Sequence, residues 1–129
     1  MALNDVRATI ETRIAAAFPD MPVYFGNTNT NPPNDAPWLW CAVNFGDSEY
    51  VTLDGLDWNS GVVSCNIFTP VGAGSGAGFA LADRLKSVFN RLQVEGVYFR
   101  PATGPRAIAN PETAAWFQLS VSIQFVADD

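Results

Sequence analysis

Four alternating glycines separate an apolar segment from a helix-like segment in the stretch IFTPVGAGSGAGFALAD, residues 67–83. A glycine-rich turn that opens a helix can bind phosphate, because backbone N–H groups and the positive end of the helix dipole face the anion. Gly72, Gly74 and Ala77 fit the loose dinucleotide pattern G-x-G-x-x-G/A, and Glu95 lies about 20 residues further on, where a ribose-binding acid is expected. The first question is whether this stretch binds a nucleotide.

The context of the glycines argues against nucleotide binding. The dinucleotide fingerprint opens a parallel βαβ unit, whereas residues 62–68 alternate as an antiparallel strand does. No lysine follows the glycines as a P-loop would require. We therefore interpret Gly72, Gly74 and Gly76 as permitting a tight strand-to-helix crossing or a close contact between subunits. A small nucleotide-binding or hydrolytic domain that uses residues 72–78 remains the alternative from another functional class.

Other residue types that support catalysis or metal binding are scarce. Histidine is absent, which removes the commonest general base at neutral pH. Cys41 and Cys65 are too few for a zinc site, and we expect two reduced, buried thiols. Asp54 and Asp57 could act as an acid and base pair, but the sequence DGLD is more typical of a turn. The sequence predicts no catalytic residue, metal ligand or cofactor.

Chain length and net charge limit the classes of protein to which this sequence can belong. The 129 residues are 48% hydrophobic, which is enough for one domain, residues 1–129, with a single core. Thirteen acidic and seven basic residues give a net charge of −6, which disfavours binding to a phosphate backbone. The opening MALNDVRATIETRI lacks the apolar run of an export signal, and no segment approaches the roughly 20 residues of a membrane span. We expect a soluble, intracellular chain.

Periodicity predicts two helices and five strands. Leu3, Val6, Ile10 and Ile14 have helical spacing, with Asn4 as N-cap and an end near Phe18. A second helix follows the glycines, its stripe formed by Phe79, Ala82, Leu85, Phe89 and Leu92. The predicted strands are residues 23–25, 38–45, 62–68, 94–100 and 116–126. The predicted connections are a polar loop at 27–37, a hairpin connection at 46–61 and a Pro-rich loop at 101–113.

The strands alternate between apolar and polar residues. In the last strand Phe117, Leu119, Val121, Ile123 and Phe125 alternate with serines and glutamines, and Val63, Cys65 and Ile67 share one face of an earlier strand. This pattern predicts an α+β fold, a mainly antiparallel sheet with two helices packed on one face. The other face, with its serines, Asn66 and Gln124, is then either solvated or covered by a polar partner.

Three segments should project from this sheet. The hairpin connection mixes acidic and large apolar residues, as a docking surface does, although it could instead be a solvated hairpin whose apolar residues fold back onto the sheet. Trp58 and Trp116 fit either an interface or a core edge. The candidate partner contacts are Glu49, Tyr50, Leu53, Asp54, Leu56, Asp57 and Trp58 in the hairpin, Asn29 and Asn31 in the polar loop, and Gly72, Gly74 and Gly76.

The whole chain resembles the lambda-type tail terminator family of long-tailed bacteriophages. The resemblance rests on the helix VRATIETRI, the loop leading to APWLW, the strand and turn IFTPVGAGSGAG followed by ALADRLKSVF, and the alternating closing strand. It implies a homohexameric ring on the tail tube that stops tube polymerisation, contacts the head-completion or stopper protein, lets DNA pass without specific binding and has no enzymatic activity. A different neck or tube component of the same virion is the near alternative.

Overall fold

The computed structural model describes residues 3–26, 36–50, 57–72, 75–108 and 116–128, with the backbone alone at 47–50, 57–58 and 128. Within these ranges the chain forms two helices and seven strands. In chain order they are α1 (Leu3–Ala17), β1 (Val23–Phe25), β2 (Trp38–Tyr50), β3 (Asp57–Pro70), α2 (Gly76–Phe89), β4 (Gln93–Val94), β5 (Val97–Phe99), β6 (Thr103–Ile108) and β7 (Trp116–Asp128).

The strands form one sheet in the order β1-β2-β3-β7-β5-β4, and β6 also pairs with β7. The β1–β2 pair is parallel and the other pairs are antiparallel. Residues of both helices pack with one face of the sheet in a single hydrophobic core. The prediction of an α+β fold with two helices on a mainly antiparallel sheet is confirmed.

The two faces of the sheet are named here by their relation to the helices. The inner face packs against them, and its buried side chains are Leu39, Cys41, Val63, Cys65, Ile67, Leu119, Val121, Ile123 and Phe125. The outer face carries the alternate residues of the same strands. The predicted alternation of β7 is therefore confirmed, with Phe117 only partly buried at the end of the inner face.

Helix α1 packs through Val6, Ile10 and Ile14, as its spacing predicts. The helix begins at Leu3, so Asn4 lies inside the first turn rather than at the N-cap, and its Oδ1 accepts hydrogen bonds from Arg7. Arg84 of α2 donates to the Ala17 carbonyl at 2.6 Å and to both oxygens of Asp20. The hydrogen bond from Arg84 lowers the pKa of the Asp20 carboxyl.

Strands β2 and β3 are longer than predicted. Their pairing continues beyond an irregularity between Phe45 and Ser48 to the pair Tyr50 and Asp57. Most of the predicted connection at 46–61 is therefore strand. The prediction missed this because the acidic and polar residues there do not alternate with apolar ones. Residues 51–56 lie outside the described ranges.

Two predictions after α2 are wrong. The segment 94–100 is not one strand, because β4 and β5 pair with each other across a tight turn at Glu95 and Gly96. Part of the predicted loop at 101–113 is strand β6, which pairs with β7 despite Pro105. Proline is tolerated there because β6 pairs along one side, as an edge strand does.

The predicted stripe of α2 is wrong at both ends. Phe79 is 43% exposed, and the buried position in the first turn is Gly78. Helix α2 ends at Phe89, so Leu92 packs against the core from the following turn. Because Gly78 has no side chain, α2 approaches β7 closely at this position. Gly78 takes the buried position, and the next residue, Phe79, therefore faces outward.

Candidate functional site

The strand-to-helix turn after β3 shows what its glycines do. Gly72 has a φ of +93°, a left-handed conformation that glycine adopts without steric cost. A Cβ at Gly78 would lie 3.0 Å from Leu119 Cδ1 and 3.4 Å from the Phe117 ring, so the missing side chain allows α2 to approach β7. A Cβ at Gly76 would meet no atom of the described residues within 4 Å, and Gly74 lies outside the described residues.

This geometry supports the structural interpretation of the turn. Strand β3 is antiparallel to both β2 and β7, so α2 does not follow a strand of a parallel βαβ unit. Among the described residues, Ser75 makes no side-chain hydrogen bond that caps the helix. Val71 and Phe79 flank the turn, and their large apolar side chains are 56% and 43% exposed.

An aromatic cluster lies at one end of the outer face. Trp38 stacks on Phe68 with a centroid distance of 4.1 Å, and it meets Tyr24 and Trp116 edge to face at 5.8 and 5.9 Å. Trp38 is buried, and its Nε1 has no hydrogen-bond partner among the described residues. Trp116 is half-buried at the edge of this cluster, whereas only the backbone of Trp58 is described, in strand β3.

The middle of the outer face is polar. Gln118 Nε2 donates to Asn66 Oδ1 at 3.0 Å across β3 and β7, and Ser64, Ser120 and Ser122 lie nearby in register. These residues are half-buried, and Gln124 is exposed. The prediction that polar residues share the face away from the helices is confirmed.

A groove of about 420 Å³ continues the outer face toward the β2–β3 hairpin. Its floor is the row of Phe45, Gly61 and Phe125, whose side chains belong to the inner face. A Cβ at Gly61 would overlap the Phe125 ring, so the glycine is what allows Phe125 to pack against β3 in this row. The neighbouring outer-face rows supply the walls, namely Asn44, Val62, Gln124, Ser60 and Val126, and Arg100 stands beside them.

Arg100 and Arg106 were missed by the sequence analysis. The Arg100 N–H donates to the Gln124 carbonyl at 2.8 Å, and Arg106 pairs in register with Ser120, so both belong to the outer face. Both are exposed, and neither forms an ion pair with a described carboxylate. The available signal was composition: five of the seven basic residues lie within residues 84–106.

The predicted hairpin contacts are only partly described. The register places Glu49 opposite Trp58 and Tyr50 opposite Asp57, on the ends of β2 and β3. Leu53, Asp54 and Leu56 of the hairpin, together with Asn29 and Asn31 of the polar loop, lie outside the described residues. The possible acid and base pair of Asp54 and Asp57 is therefore not tested.

Cys41 and Cys65 face each other across β2 and β3 on the inner face. Both are free thiols and fully buried. The Cys41 carbonyl accepts from the Gly26 N–H on the β1 side, so the two cysteines form a non-hydrogen-bonded pair, the closer type in antiparallel sheets. Hydrogen bonding to Cys41 and burial raise the pKa of the Cys65 thiol, which keeps it protonated and a poor nucleophile.

The described residues contain no group of three or more His, Cys, Asp or Glu residues arranged to hold a metal ion. Neither helix among them has the length and hydropathy needed to cross a membrane.

Comparison with known proteins gives the family from one match and the fold from another. The family model described as phage tail terminator protein matches residues 5–125. A solved structure is similar with a TM-score of 0.74 and 24% identity, over 98% of this chain and 96% of that chain, which shows a shared fold. No curated protein matches the sequence. Because the family model spans nearly the whole chain, this protein belongs to the phage tail terminator family and is a structural component of the bacteriophage tail that acts at the tail tube, not an enzyme.

Proposed function

We propose that the protein forms a homohexameric ring on the end of the tail tube, stops tube polymerisation there and joins the tail to the head-completion or stopper protein. The observation that carries this proposal is the match of the tail terminator model to residues 5–125. Its place of action is then the head-proximal end of the virion tail, after assembly in the host cytoplasm.

DNA passes through this ring without specific binding. The support is the net charge of −6 for each subunit, which multiplies in a ring and repels the phosphate backbone. A lumen that repelled DNA would let the genome move through without being held.

The hairpin of β2 and β3 is the first proposed contact. Beyond the irregularity after Phe45, three more residue pairs extend the ladder to Tyr50 and Asp57. The neighbouring strand β7 pairs with β3 up to Trp58 and Asp128, so the hairpin is supported along most of its length. We assign to it the contact residues Glu49, Tyr50, Leu53, Asp54, Leu56, Asp57 and Trp58, which meet the tube protein or a neighbouring subunit.

The strand-to-helix turn is the second proposed contact. Val71 and Phe79 expose large apolar side chains beside Gly72 and Gly76, and a ring on a tube needs a further surface besides the hairpin. Exposed aromatic residues of this kind are enriched at the cores of protein interfaces. Gly74 and the loop residues Asn29 and Asn31 complete the proposed set.

The test replaces residues 51–56 by a short glycine-containing turn, which keeps the strand ends of β2 and β3. The isolated variant should keep its circular dichroism spectrum and melting temperature, while phage particles made with it should lose infectivity in a complementation assay. Electron microscopy of tails assembled without the wild-type protein should show tubes longer than normal. Tubes that are absent altogether would indicate a tube component instead, and normal tails and titres with the variant would rule out a contact made through Leu53, Asp54 and Leu56.

A further inference from the structure

The two cysteines of the chain lie side by side in the sheet. Cys41 of β2 and Cys65 of β3 are paired in register, and both are part of the core under the inner face. Because the Cys41 carbonyl accepts a hydrogen bond from Gly26 on the β1 side, the two residues form a non-hydrogen-bonded pair, in which the Cα atoms are about 4.5 Å apart. A disulfide needs a Cα separation of about 4.4–6.8 Å, so the backbone already holds the pair at a spacing that allows one.

The side chains of the pair are also in contact. The two thiols hydrogen-bond to each other across the strands. In the same row of the sheet, Phe25 lies beside Cys41 and Val121 lies beside Cys65, and both of these neighbours are apolar. Disulfide formation therefore needs only a short approach of two sulfur atoms that already face each other.

Burial determines how this pair reacts. Both cysteines are fully buried, so neither reaches a cysteine of another molecule while the protein is folded. The hydrogen bond to Cys41 and burial raise the pKa of the Cys65 thiol, and this keeps the thiol unreactive while the sheet is closed. Oxidation therefore requires a transient local opening of the sheet and should be slow. The same burial then protects the bond from reductants.

We propose that Cys41 and Cys65 form a disulfide site that is reduced while the protein assembles inside the cell and is oxidised after the virion leaves it. The cytosol keeps thiols reduced, whereas disulfides persist in extracellular proteins and on virions. Membership of the tail terminator family makes the protein a component of the phage tail, which meets both environments. The inference rests on that membership and on the strand register, and it does not depend on the proposed ring.

The oxidant is a small-molecule disulfide such as oxidised glutathione. One cysteine of the pair loses its proton during an opening of the sheet, and its thiolate attacks the oxidant. The sulfur–sulfur bond of the oxidant breaks, one thiol leaves and a mixed disulfide remains on the protein. The second cysteine loses its proton and displaces the other half of the oxidant. The protein thus gives up two electrons and two protons, and both are carried away by the two thiols that the oxidant becomes.

The disulfide should stabilise the fold. It closes the 23 residues between the two cysteines, residues 42–64, into a loop and so restricts the unfolded chain. For a domain of this size the melting temperature should rise by roughly 5–15 °C. Residues 42–64 include the β2–β3 hairpin, whose two strands the bond would hold together.

The experiment oxidises the purified, reduced protein with oxidised glutathione, a few degrees below its melting temperature so that local opening is frequent. Intact mass should show the loss of two hydrogens, and peptide mapping without reductant should recover Cys41 linked to Cys65. The melting temperature should rise in the wild type and return to its first value after reduction. The matched controls Cys41→Ala and Cys65→Ala each keep one thiol, so the oxidant should produce no rise in either variant.

Three results would overturn the site. They are a folded wild type that keeps both thiols free, one that takes up only glutathione adducts, and a cross-linked protein that melts no higher than the reduced one. Light scattering on the same samples gives the oligomeric mass. A monomer that still forms the disulfide would count against the ring alone, and an oligomer whose thiols stay free would count against the disulfide alone.

Phage particles test the timing of the oxidation. Free thiols are trapped by acid and alkylation in infected cells before lysis and in released particles, and the peptides that carry Cys41 and Cys65 are analysed by mass spectrometry. Both thiols should be alkylated inside the cell, and the cross-linked peptide should dominate after release. Released particles in which both cysteines remain alkylated would overturn the proposed oxidation of the virion.

Discussion

The inner and outer faces of the sheet are built from the same strands but differ in chemistry. On β7, Val121 is fully buried against the helices, while its neighbour Ser120 is half-buried on the outer face beside Arg106. Successive strand residues point to opposite faces of the sheet. The inner-face residues therefore stabilise the fold, while the outer-face residues are available for surface recognition. The comparison predicts that the same substitution at adjacent positions changes stability by very different amounts.

The largest expected effect comes from a carboxylate on the inner face. Val121→Asp should cost about 4 kcal/mol or more, because it buries an unpaired charge, and this is a large fraction of the stability of a small domain. Ser120→Asp should change the free energy of unfolding by no more than about 0.5 kcal/mol. Thermal unfolding followed by circular dichroism measures both, and an unchanged melting temperature for Val121→Asp would show that the register is wrong.

A smaller effect is expected where α2 meets the inner face. Gly78→Val should destabilise the fold by about 1–3 kcal/mol, because the new side chain must displace Leu119 and Phe117. The same substitution at Gly76, where a Cβ meets no described atom within 4 Å, should stay within about 0.5 kcal/mol of wild type. Equal losses at both positions in denaturant unfolding would contradict the close approach of helix and strand.

The glycine turn also allows a direct test of the nucleotide hypothesis. ATP and NAD should leave the melting temperature of the wild type unchanged. A stabilisation by either nucleotide that disappears in Gly74→Val would reopen the question of a phosphate site at residues 72–78.

The buried cysteine pair on the inner face should make the stability of the fold depend on pH. Because folding raises the pKa of the Cys65 thiol, the folded state keeps a proton that the unfolded state loses above the ordinary thiol pKa of about 8.5. Stability should therefore be constant below that pH and fall above it, by up to about 1.4 kcal/mol per pH unit for one thiol. Urea unfolding at pH 7.5 and 9.5 measures this loss, and Cys65→Ala should show less of it.

The sequence predicted which residues lie on each face of the sheet better than it predicted the strands at the edge of the sheet. Strong apolar alternation in β3 and β7 identified the inner face, since only one register buries all its apolar residues. Strand β6 was missed because Gly104 and Pro105 interrupt any pattern, and because its partners in β7 lie ten to nineteen residues further along the chain. Phe79 was assigned to the core because periodicity does not show that the neighbouring glycine takes the buried position.

The candidate site was harder to predict than the fold. Hairpin residues were chosen for their local mixture of acidic and apolar types, which composition shows directly. The position of Arg100 and Arg106 on the outer face depends on where β5 and β6 join β7, so they became candidates only once strand pairing was known. Local sequence thus identified the hairpin residues, and topology identified the two arginines.

The smallest expected effect lies on the outer face, at the hydrogen bond between Gln118 and Asn66. A double-mutant cycle with Asn66→Ala and Gln118→Ala should give a coupling of about 0.5–1 kcal/mol in the monomer, because water competes for both side chains. If a second subunit covers this part of the face, the coupling should increase at protein concentrations that favour association, since a hydrogen bond strengthens where water is excluded. Chemical denaturation of all four proteins at low and high concentration measures both values. A coupling that does not change with concentration, in a protein that does associate, would place the subunit contact away from the polar middle of the outer face.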